Sequence, residues 1–200
     1  AYLKSRGLDP TRFRFEQGTW KEAGHSIPAV TFECSWTDRR WHRLINSPKG
    51  IESKARWDKG DGVAYRGQAW VASDKIDENK KLWMVEGIFE ALSIEQGLGF
   101  QAAATFSASH VPANFYEKLR CKQPICIALN SDTAGEEGTF KNLKILKEMG
   151  FEDVTVVQPP PAKDWNDLLC LGDFTDERKE KTLKDAMWRG KLLLAESVDT

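Results

Sequence analysis

The chain has 200 residues, of which 40% are hydrophobic and 30% are charged, a composition typical of a soluble globular protein with one ordinary domain or two small ones. No run of about 18 apolar residues occurs, so the sequence excludes a membrane-spanning helix. The net charge is −1, but residues 1–80 carry 15 basic and 11 acidic residues, whereas residues 81–200 carry 14 and 19. A basic half joined to an acidic half suits a polyanionic substrate.

The cysteines indicate neither a zinc site nor a disulfide framework. They form no Cys-x-x-Cys pair, and they are few for a disulfide-rich chain. We therefore expect reduced thiols and a cytoplasmic location for the four of them, Cys34, Cys121, Cys126 and Cys170. The N-terminus has neither a Met nor an apolar signal core, and we interpret it as the edge of a longer protein.

The first part of the chain has the signals of short strands and turns. Residues 1–8 are predicted to end a helix at Gly7, and residues 12–72 contain several β-prone runs separated by turns. Residues 73–80 are polar and form a predicted linker. Residues 1–80 are therefore predicted to form a small, basic α+β or β-rich subdomain.

From residue 82 onward, strand and helix patterns alternate. Strands are predicted at 82–86, 101–105, 124–129 and 153–157, with helices at 88–98, 113–120 and 134–149 between them. Such alternation predicts an α/β fold with a parallel sheet and right-handed crossovers. A short helix is expected within 164–171, and residues 175–195 are expected to form a terminal helix or linker.

Acidic residues follow several of these predicted strands. Glu86 ends the first strand, Asp132 follows the third, and Asp164 and Asp167 follow the fourth. The carboxyl ends of parallel strands lie at one edge of a sheet, and Mg²⁺ is held by carboxylates together with substrate phosphates. The alternative for each acid alone is that it caps the following helix. Together the acids predict a site for a divalent cation.

The motifs that contain these acids resemble the TOPRIM domain of DNA primases, topoisomerases and some nucleases. They are Val85-Glu86-Gly87 with Ala91-Leu92, then Asp132-Thr133-Ala134-Gly135, then Lys163-Asp164-Trp165-Asn166-Asp167. The resemblance covers about residues 81–172 and is closest to primases of phages, plasmids and mobile elements. It implies that Glu86 is the catalytic acid or base, and that Asp132 and the acids Asp164 and Asp167 hold Mg²⁺ or Mn²⁺. Residues 173–200 are then a C-terminal helix or linker.

Asn130 departs from the usual family pattern. The family generally has Asp-x-Asp where this chain has Asn130-Ser131-Asp132. An Asn carbonyl can still coordinate a metal, but the site loses one negative charge. Three explanations are open: an engineered inactivation, a natural variant that works, or a natural domain that has lost catalysis.

Residues 1–80 also resemble the basic subdomain that precedes TOPRIM in primases and that helps to form the cleft for template and nucleotides. The segments that carry this resemblance are Ile27–Val30, Arg43–Ile45 and Lys54–Gly60. Basic side chains there can neutralise phosphates, and tryptophans can stack on bases. The predicted nucleic-acid or nucleotide-binding residues are Arg39, Arg40, Arg43, Lys54, Arg56, Trp57, Lys59 and Lys163. Taken alone, the tryptophans are more often packed in a core than stacked on bases. His110 lies in a loop near the predicted site, and we expect it to have no role.

The resemblance implies a DNA primase catalytic core that uses ribonucleoside triphosphates on a single-stranded DNA template. A zinc-binding or helicase domain is expected elsewhere in such a protein. Two alternatives remain open: a TOPRIM nuclease that uses the same cations, and a module that only binds nucleic acid, with Asn130 marking lost activity. Strand cleavage without nucleotides would indicate the first alternative, and binding that is indifferent to Mg²⁺ would indicate the second.

Overall fold

The computed structural model describes residues 1–51, 53–73, 75–119, 123–161 and 163–196. The chain divides into two compact units. One consists of residues Ala1–Tyr2 and Asp9–Ala64, and the other consists of Leu3–Leu8 and Tyr65–Thr200. The predicted domain bounds at residues 80 and 172 stay predictions.

The first unit contains a four-stranded antiparallel sheet in the order β1-β2-β3-β4. Its strands are β1 Glu16–Glu22, β2 His25–Cys34, β3 Thr37–Leu44 and β4 Ala55–Trp57. Ala23 and Gly24 join β1 to β2 with φ angles of 47° and 78°, the positive pair that a two-residue hairpin needs. Short strands are thus present within residues 12–72, as expected, and this unit contains those up to Trp57.

The second unit is built on a five-stranded sheet in the order β5-β7-β6-β8-β9. Its strands are β5 Trp70–Val71, β6 Leu82–Val85, β7 Ala102–Ala104, β8 Ile125–Ile127 and β9 Val154–Val156. The last four strands are parallel, which confirms the predicted parallel sheet, and β5 adds an antiparallel edge. Strands β6, β7 and β8 are buried along their whole length, as strands covered on both faces should be.

Helices alternate with these strands. They are α1 Tyr2–Ser5, α2 Ile88–Ser93, α3 Ala113–Lys118, α4 Thr133–Glu148, α5 Trp165–Cys170 and α6 Asp176–Glu196. The predicted helix at 88–98 is α-helical only as far as Ser93, and Ile94–Leu98 form a π-helical turn that ends at Gly99 with a φ of 73°. No helix in the described part of the chain is long and apolar enough to cross a membrane.

The terminal helix α6 lies along the edge strand β9 rather than leading away from the unit. The amide of Gln158 donates to the carbonyl oxygen of Ala186 at 3.1 Å. A Cβ at Gly190 would lie 2.1 Å from the carbonyl oxygen of Val156, so only glycine permits this approach. Covering an edge strand in this way protects its backbone from unwanted pairing.

Candidate active site

The candidate site lies at the carboxyl ends of β6 and β8. The parallel register pairs Met84 with Ile127, so the residues that follow both strands lie side by side. Glu86 follows β6 directly, and its Oε1 accepts a hydrogen bond of 3.1 Å from the amide of Asn130, beyond β8. The first predicted acid and the first residue of the second motif are therefore in direct contact.

Asp132 and Asp164 cap the helices that follow them. Oδ1 of Asp132 accepts from the amide of Gly135 at 2.8 Å, at the start of α4. Oδ1 of Asp164 accepts from the amide of Asp167 at 2.7 Å, and Oδ2 of Asp167 accepts in return from the amide of Asp164 at 3.2 Å. The capping that was considered for single acids is thus present. It uses Oδ1 of Asp132 and of Asp164, and among the described residues Oδ2 of each makes no hydrogen bond or ion pair.

The rest of the third motif anchors α5 beside the second. Trp165 is completely buried, and its indole nitrogen donates to the carbonyl oxygen of Ala128 at 2.7 Å. The amide nitrogen of Asn166, also completely buried, donates to Oγ of Ser93 at 2.8 Å. In this motif the acids therefore face a shared cleft, while the residues between them fix the position of the helix that presents them.

A cleft of about 240 Å³ brings the second and third motifs together. It is lined by Asn130, Ser131, Asp132, Lys163, Asp164 and Asp167. Lys163 is exposed and is the one basic residue among the described residues of this lining. Its role in nucleotide binding stays a prediction. Glu86 is not part of the lining, but it is close enough to respond to the charges of Asp132 and Asp164.

Burial and like charges raise the pKa of Glu86. Desolvation of this half-buried carboxyl is the largest cause, the hydrogen bond from Asn130 opposes it, and the negative charges of Asp132 and Asp164 add to it. A carboxyl whose pKa is moved toward neutrality is better suited to proton transfer than an ordinary surface glutamate. These neighbours also make the site attractive to a cation.

Glu90 is a buried carboxyl beside the site that the sequence did not single out. It is 7% exposed, its Oε1 accepts from the amide of Gly87 at 3.1 Å, and its Oε2 has no partner among the described residues. Burial first, and then the charges of Asp164 and Glu86, raise its pKa well above the ordinary glutamate value. Glu90 therefore holds its proton to a higher pH than an ordinary glutamate does. The sequence signal that could have identified Glu90 is its position four residues after Glu86.

Asn130 offers an oxygen to the same cleft. Its Oδ1 is buried without a hydrogen-bond partner among the described residues, an arrangement that costs free energy unless something binds there. A hard cation takes carboxylate and amide oxygens as ligands, so Asn130 together with Asp132 and Asp164 fits Mg²⁺ or Mn²⁺. A Cβ at Gly135 would lie 2.1 Å from the carbonyl oxygen of Asn130, which explains the glycine of the second motif.

No three His, Cys, Asp or Glu side chains within the described ranges are already arranged to hold a metal ion. Asp132, Asp164 and Glu86 each direct one oxygen to a backbone amide, at 2.7 to 3.1 Å. A cation would draw the remaining oxygens together. The assignment of Glu86, Asn130, Asp132, Asp164 and Asp167 to a metal site stays a prediction.

The arginines predicted to bind nucleic acid are engaged within the first unit. Arg39 donates to the carbonyl oxygens of Asp58, Asp61 and Gly62 at 2.9 to 3.2 Å. Arg40 forms ion pairs with Asp58 at 3.0 Å and with Glu16 at 3.2 Å. These two arginines hold the turn after β4, and 42% of the Arg40 side chain is still exposed.

Some of the other predicted binding residues of this unit make internal contacts, and others are exposed. Arg56 forms a two-pronged pair with Glu22, with distances of 2.6 and 2.7 Å, and Nε of Arg43 donates to the Tyr2 hydroxyl at 3.4 Å. Trp57 is half-buried opposite Trp41, which is only 8% exposed and belongs to the core. Lys54 and Lys59 are exposed, so among the predicted residues of this unit they are the most accessible cations.

Two further expectations concern single side chains. His110 is half-buried, its Nε2 lies 3.2 Å from the carbonyl oxygen of Gln68, and burial lowers its pKa, so it is neutral at pH 7 and packed in its loop. Cys34, Cys126 and Cys170 form no disulfide within the described residues, and burial raises the pKa of Cys34 and of Cys126 to about 12. The prediction for Cys121 lies outside the described residues.

Comparisons with known proteins agree with the resemblance that the three motifs indicate. Residues 83–169 match the Toprim-like family. The chain is 30% identical over 158 residues to a DNA primase of Mycoplasma pneumoniae, an alignment that covers 70% of this chain and 25% of that protein. The chain thus spans about a quarter of the length of that relative.

Two solved structures share the fold at low sequence identity. A DnaG primase catalytic domain bound to single-stranded DNA superposes with a TM-score of 0.68 at 16% identity, covering 93% of this chain and 73% of that one. The primase fragment of the bacteriophage T7 primase-helicase protein superposes with a TM-score of 0.61 at 14% identity, covering 93% and 72%. The chain therefore contains a Toprim-like domain at residues 83–169 and has the fold of DNA primase catalytic cores.

Proposed function

We propose that this chain is the catalytic core of a DNA primase, a nucleotidyltransferase that joins ribonucleotides on a single-stranded DNA template. The observation that carries the proposal is the convergence of Glu86, Asn130, Asp132 and Asp164 at one edge of the Toprim-like sheet, in a chain similar to a DNA primase. The similar DnaG structure contains single-stranded DNA, and the similar T7 fragment comes from a primase-helicase protein. The template, the ribonucleoside triphosphates and an attached helicase or zinc-binding domain are proposed from these relatives.

In the proposed reaction, the 3′ hydroxyl of one ribonucleotide attacks the α-phosphate of the next. A P–O bond forms there, the bond to the departing pyrophosphate breaks, and the hydroxyl proton must leave. In this proposal Glu86 accepts that proton, and its raised pKa supports the role because it makes this carboxylate a better base than an ordinary one. Mg²⁺ or Mn²⁺, when bound, would neutralise the charge that develops on the phosphates.

The chain's own residues would bind and position the reactants. Asp132, Asp164 and Asn130 offer the oxygens for the cation, with Asp167 beside them in the same cleft. Lys163, at the rim of the cleft, would contact a phosphate of the incoming nucleotide. In the first unit, Lys54 and Lys59 would contact the template backbone.

We propose that the enzyme works with Asn130 in place, because the unpaired Oδ1 of that residue is available as a ligand. Primer synthesis on single-stranded DNA with labelled ribonucleotides tests this, comparing the unchanged chain with Asn130→Asp and Glu86→Ala. Activity in the unchanged chain that is lost in Glu86→Ala supports the proposal. Activity only in Asn130→Asp would identify a disabled primase. No synthesis in any of the three, with DNA binding intact, would leave a binding module, and cutting of DNA without nucleotides would identify a nuclease.

A further inference from the structure

A second cavity lies between α6 and the segment around α5. Its volume is about 350 Å³, within the range of small-molecule sites. One wall is a stripe of α6 residues at helical spacing that includes Arg178, Lys181, Asp185 and Arg189. The opposite wall includes Pro160, which is partly exposed, and Leu168, which is only 1% exposed.

Within the described residues, Arg178 is the one cation of this stripe that has a counter-ion. Arg178 lies 3.6 Å from Asp173, a long pair. Lys181 and Arg189 form no ion pair or hydrogen bond through their side chains with any described residue. Nε of Arg189 is buried without a partner, although the residue as a whole is partly exposed. A buried guanidinium nitrogen that lacks an acceptor destabilises the fold unless a ligand supplies one.

The shape and the chemistry of the cavity together indicate one class of ligand. Arginine and lysine facing one space are the usual partners of phosphate oxygens. The partly exposed Pro160 offers an apolar contact for a base, and Asp185, which also has no partner among the described residues, suits a sugar hydroxyl. We propose that this cavity binds a small phosphate-bearing ligand of the nucleotide class, with its phosphates on Arg189 and Lys181. This inference does not depend on primer synthesis.

The new cavity adjoins the carboxylate cleft at α5. Leu168 lines the new cavity, and Asp167, its neighbour in the chain, lines the cleft at the ends of the strands. Binding must therefore be measured with the contribution of the cleft removed. Calorimetric titration with ADP, and separately with inorganic pyrophosphate, is done in the presence of EDTA, which removes the cation of the cleft. Any binding through Lys163 is the same in the unchanged chain and in variants of α6, so their comparison isolates the new cavity.

The test compares Arg189→Met and Lys181→Met with Lys184→Met. Methionine keeps an apolar stem of similar length at each position. Lys184 lies on the same helix but pairs with Glu180 at 2.6 Å and does not line the cavity, so it is the matched control. We expect Arg189→Met and Lys181→Met each to raise the Kd about tenfold or more, since each removes a charge-assisted hydrogen bond, and Lys184→Met to leave it unchanged.

Thermal unfolding separates this role from a structural one. Without ligand, Arg189→Met should melt at a higher temperature than the unchanged chain, because it removes a buried donor with no partner. With ligand, the melting temperature of the unchanged chain should rise by more than that of the variant. If Arg189→Met does not fold, Lys181→Met, at an exposed position, carries the comparison.

The outcomes are distinct. Binding of pyrophosphate but not ADP would keep the phosphate site and make its ligand inorganic. The proposal is overturned if neither probe binds the unchanged chain, or if Arg189→Met and Lys181→Met bind as Lys184→Met does. Either failure would leave primer synthesis untouched, because Asp132 and Asp164, not α6, carry that proposal.

Discussion

At the scale of single residues, the site is defined by carboxyl groups that are crowded and partly desolvated. Glu86 and Glu90 both have raised pKa values, with burial as the first cause and neighbouring carboxylates as a further one. A site with this many acids in a small space is strained electrostatically when it is empty of cations. The repulsion between these carboxylates lowers the stability of the folded chain.

Replacing Glu86 should therefore separate stability from function. In Glu86→Gln the charge is removed, while Oε1 can still accept the amide of Asn130. We expect the variant to melt at a higher temperature at pH 7, because the repulsion from Asp132 and Asp164 disappears. Primer synthesis should fall by about a hundredfold or more, the usual contribution of a general base. Lower stability together with full activity would contradict both assignments.

The sequence alone predicted the acids but could not decide what each one does. Asp132 and Asp164 cap helices and also line a cleft, and both uses favour the same residue type after a strand. Glu90 escaped notice because a glutamate in a predicted helix is normally on the solvent side. In α2, however, every residue from Ile88 to Ser93 is buried, so periodicity gave no exposed face against which to compare it.

At the scale of elements, the start of α4 controls the position of the second motif. Gly135 is in the first turn of that helix, where its missing side chain leaves room for the carbonyl oxygen of Asn130. In Gly135→Ala, helix propensity favours alanine by about 1 kcal/mol. The contact of 2.1 Å nevertheless dominates, because its partner is backbone that cannot rotate away.

We expect Gly135→Ala to destabilise the chain by about 1–3 kcal/mol, the usual effect of overpacking. Primer synthesis should also fall, because Asn130 is displaced. Glu136→Ala, at the next position of the same turn, is the control for helix propensity. Urea unfolding and the primer assay measure the two effects, and a Gly135→Ala variant as stable and active as the control would refute this account of the glycine.

The turn after β4 is held by Asp58. Burial of this carboxyl works against its ionisation, but hydrogen bonds from Arg40 and His42 outweigh that effect and lower its pKa to about 2. The folded-state pKa is then below the unfolded-state value of about 3.9, so the unfolded chain takes up a proton first as the pH falls. The stabilisation is complete above about pH 4 and is lost as the pH falls toward 2.

Asp58→Asn should remove this pH-dependent stabilisation. The side chain of Asp58 is 28% exposed, so solvent screening reduces the expected effect to about 1–2 kcal/mol at pH 7. At pH 2 the variant and the unchanged chain should be nearly equal in stability. Urea unfolding at both pH values measures the difference, with Asp61→Asn as the control in the same turn. An equal loss at both values would mean that Asp58 acts through packing rather than charge.

The elements show what pattern can and cannot predict. The buried strands β6 and β8 were foreseen, because short apolar runs before Glu86 and before Asn130 leave few alternatives. Strand β5 has only Trp70 and Val71, too few residues for any periodicity, and it exists because β7 offers it an edge. The π-helical turn at Ile94–Leu98 also depends on tertiary packing rather than on local composition.

At the scale of the whole molecule, charge is divided between the two parts of the chain. Residues 1–80 carry the basic excess, but most of their predicted binding arginines hold internal contacts. A run of basic residues looks the same in sequence whether it faces a ligand or pairs within its own unit. Lys54 and Lys59 remain exposed and are the best test of binding.

We expect Lys54→Ala and Lys59→Ala to weaken binding to single-stranded DNA without lowering thermal stability. Each variant should reduce the slope of log K against log salt by about 0.7, since each removes one phosphate contact. Lys144→Ala, an exposed position of α4, is the control. Fluorescence anisotropy at several salt concentrations measures the slopes. If both variants keep the slope of the control, these lysines do not contact the template.

We propose above that the carboxylates at the ends of the strands hold a divalent cation. Titration with Mn²⁺, followed by electron paramagnetic resonance of the free ion, tests it most directly in the unchanged chain and in the double variant Asp132→Asn, Asp164→Asn. Asparagine also caps helices, so this variant removes charge and keeps the caps. Asp153→Asn, at a surface acid paired with Lys81, is the control. We expect Mn²⁺ binding that the double variant weakens by more than about tenfold and that the control leaves unchanged. Equal binding by all three would show that these acids are helix caps and no more.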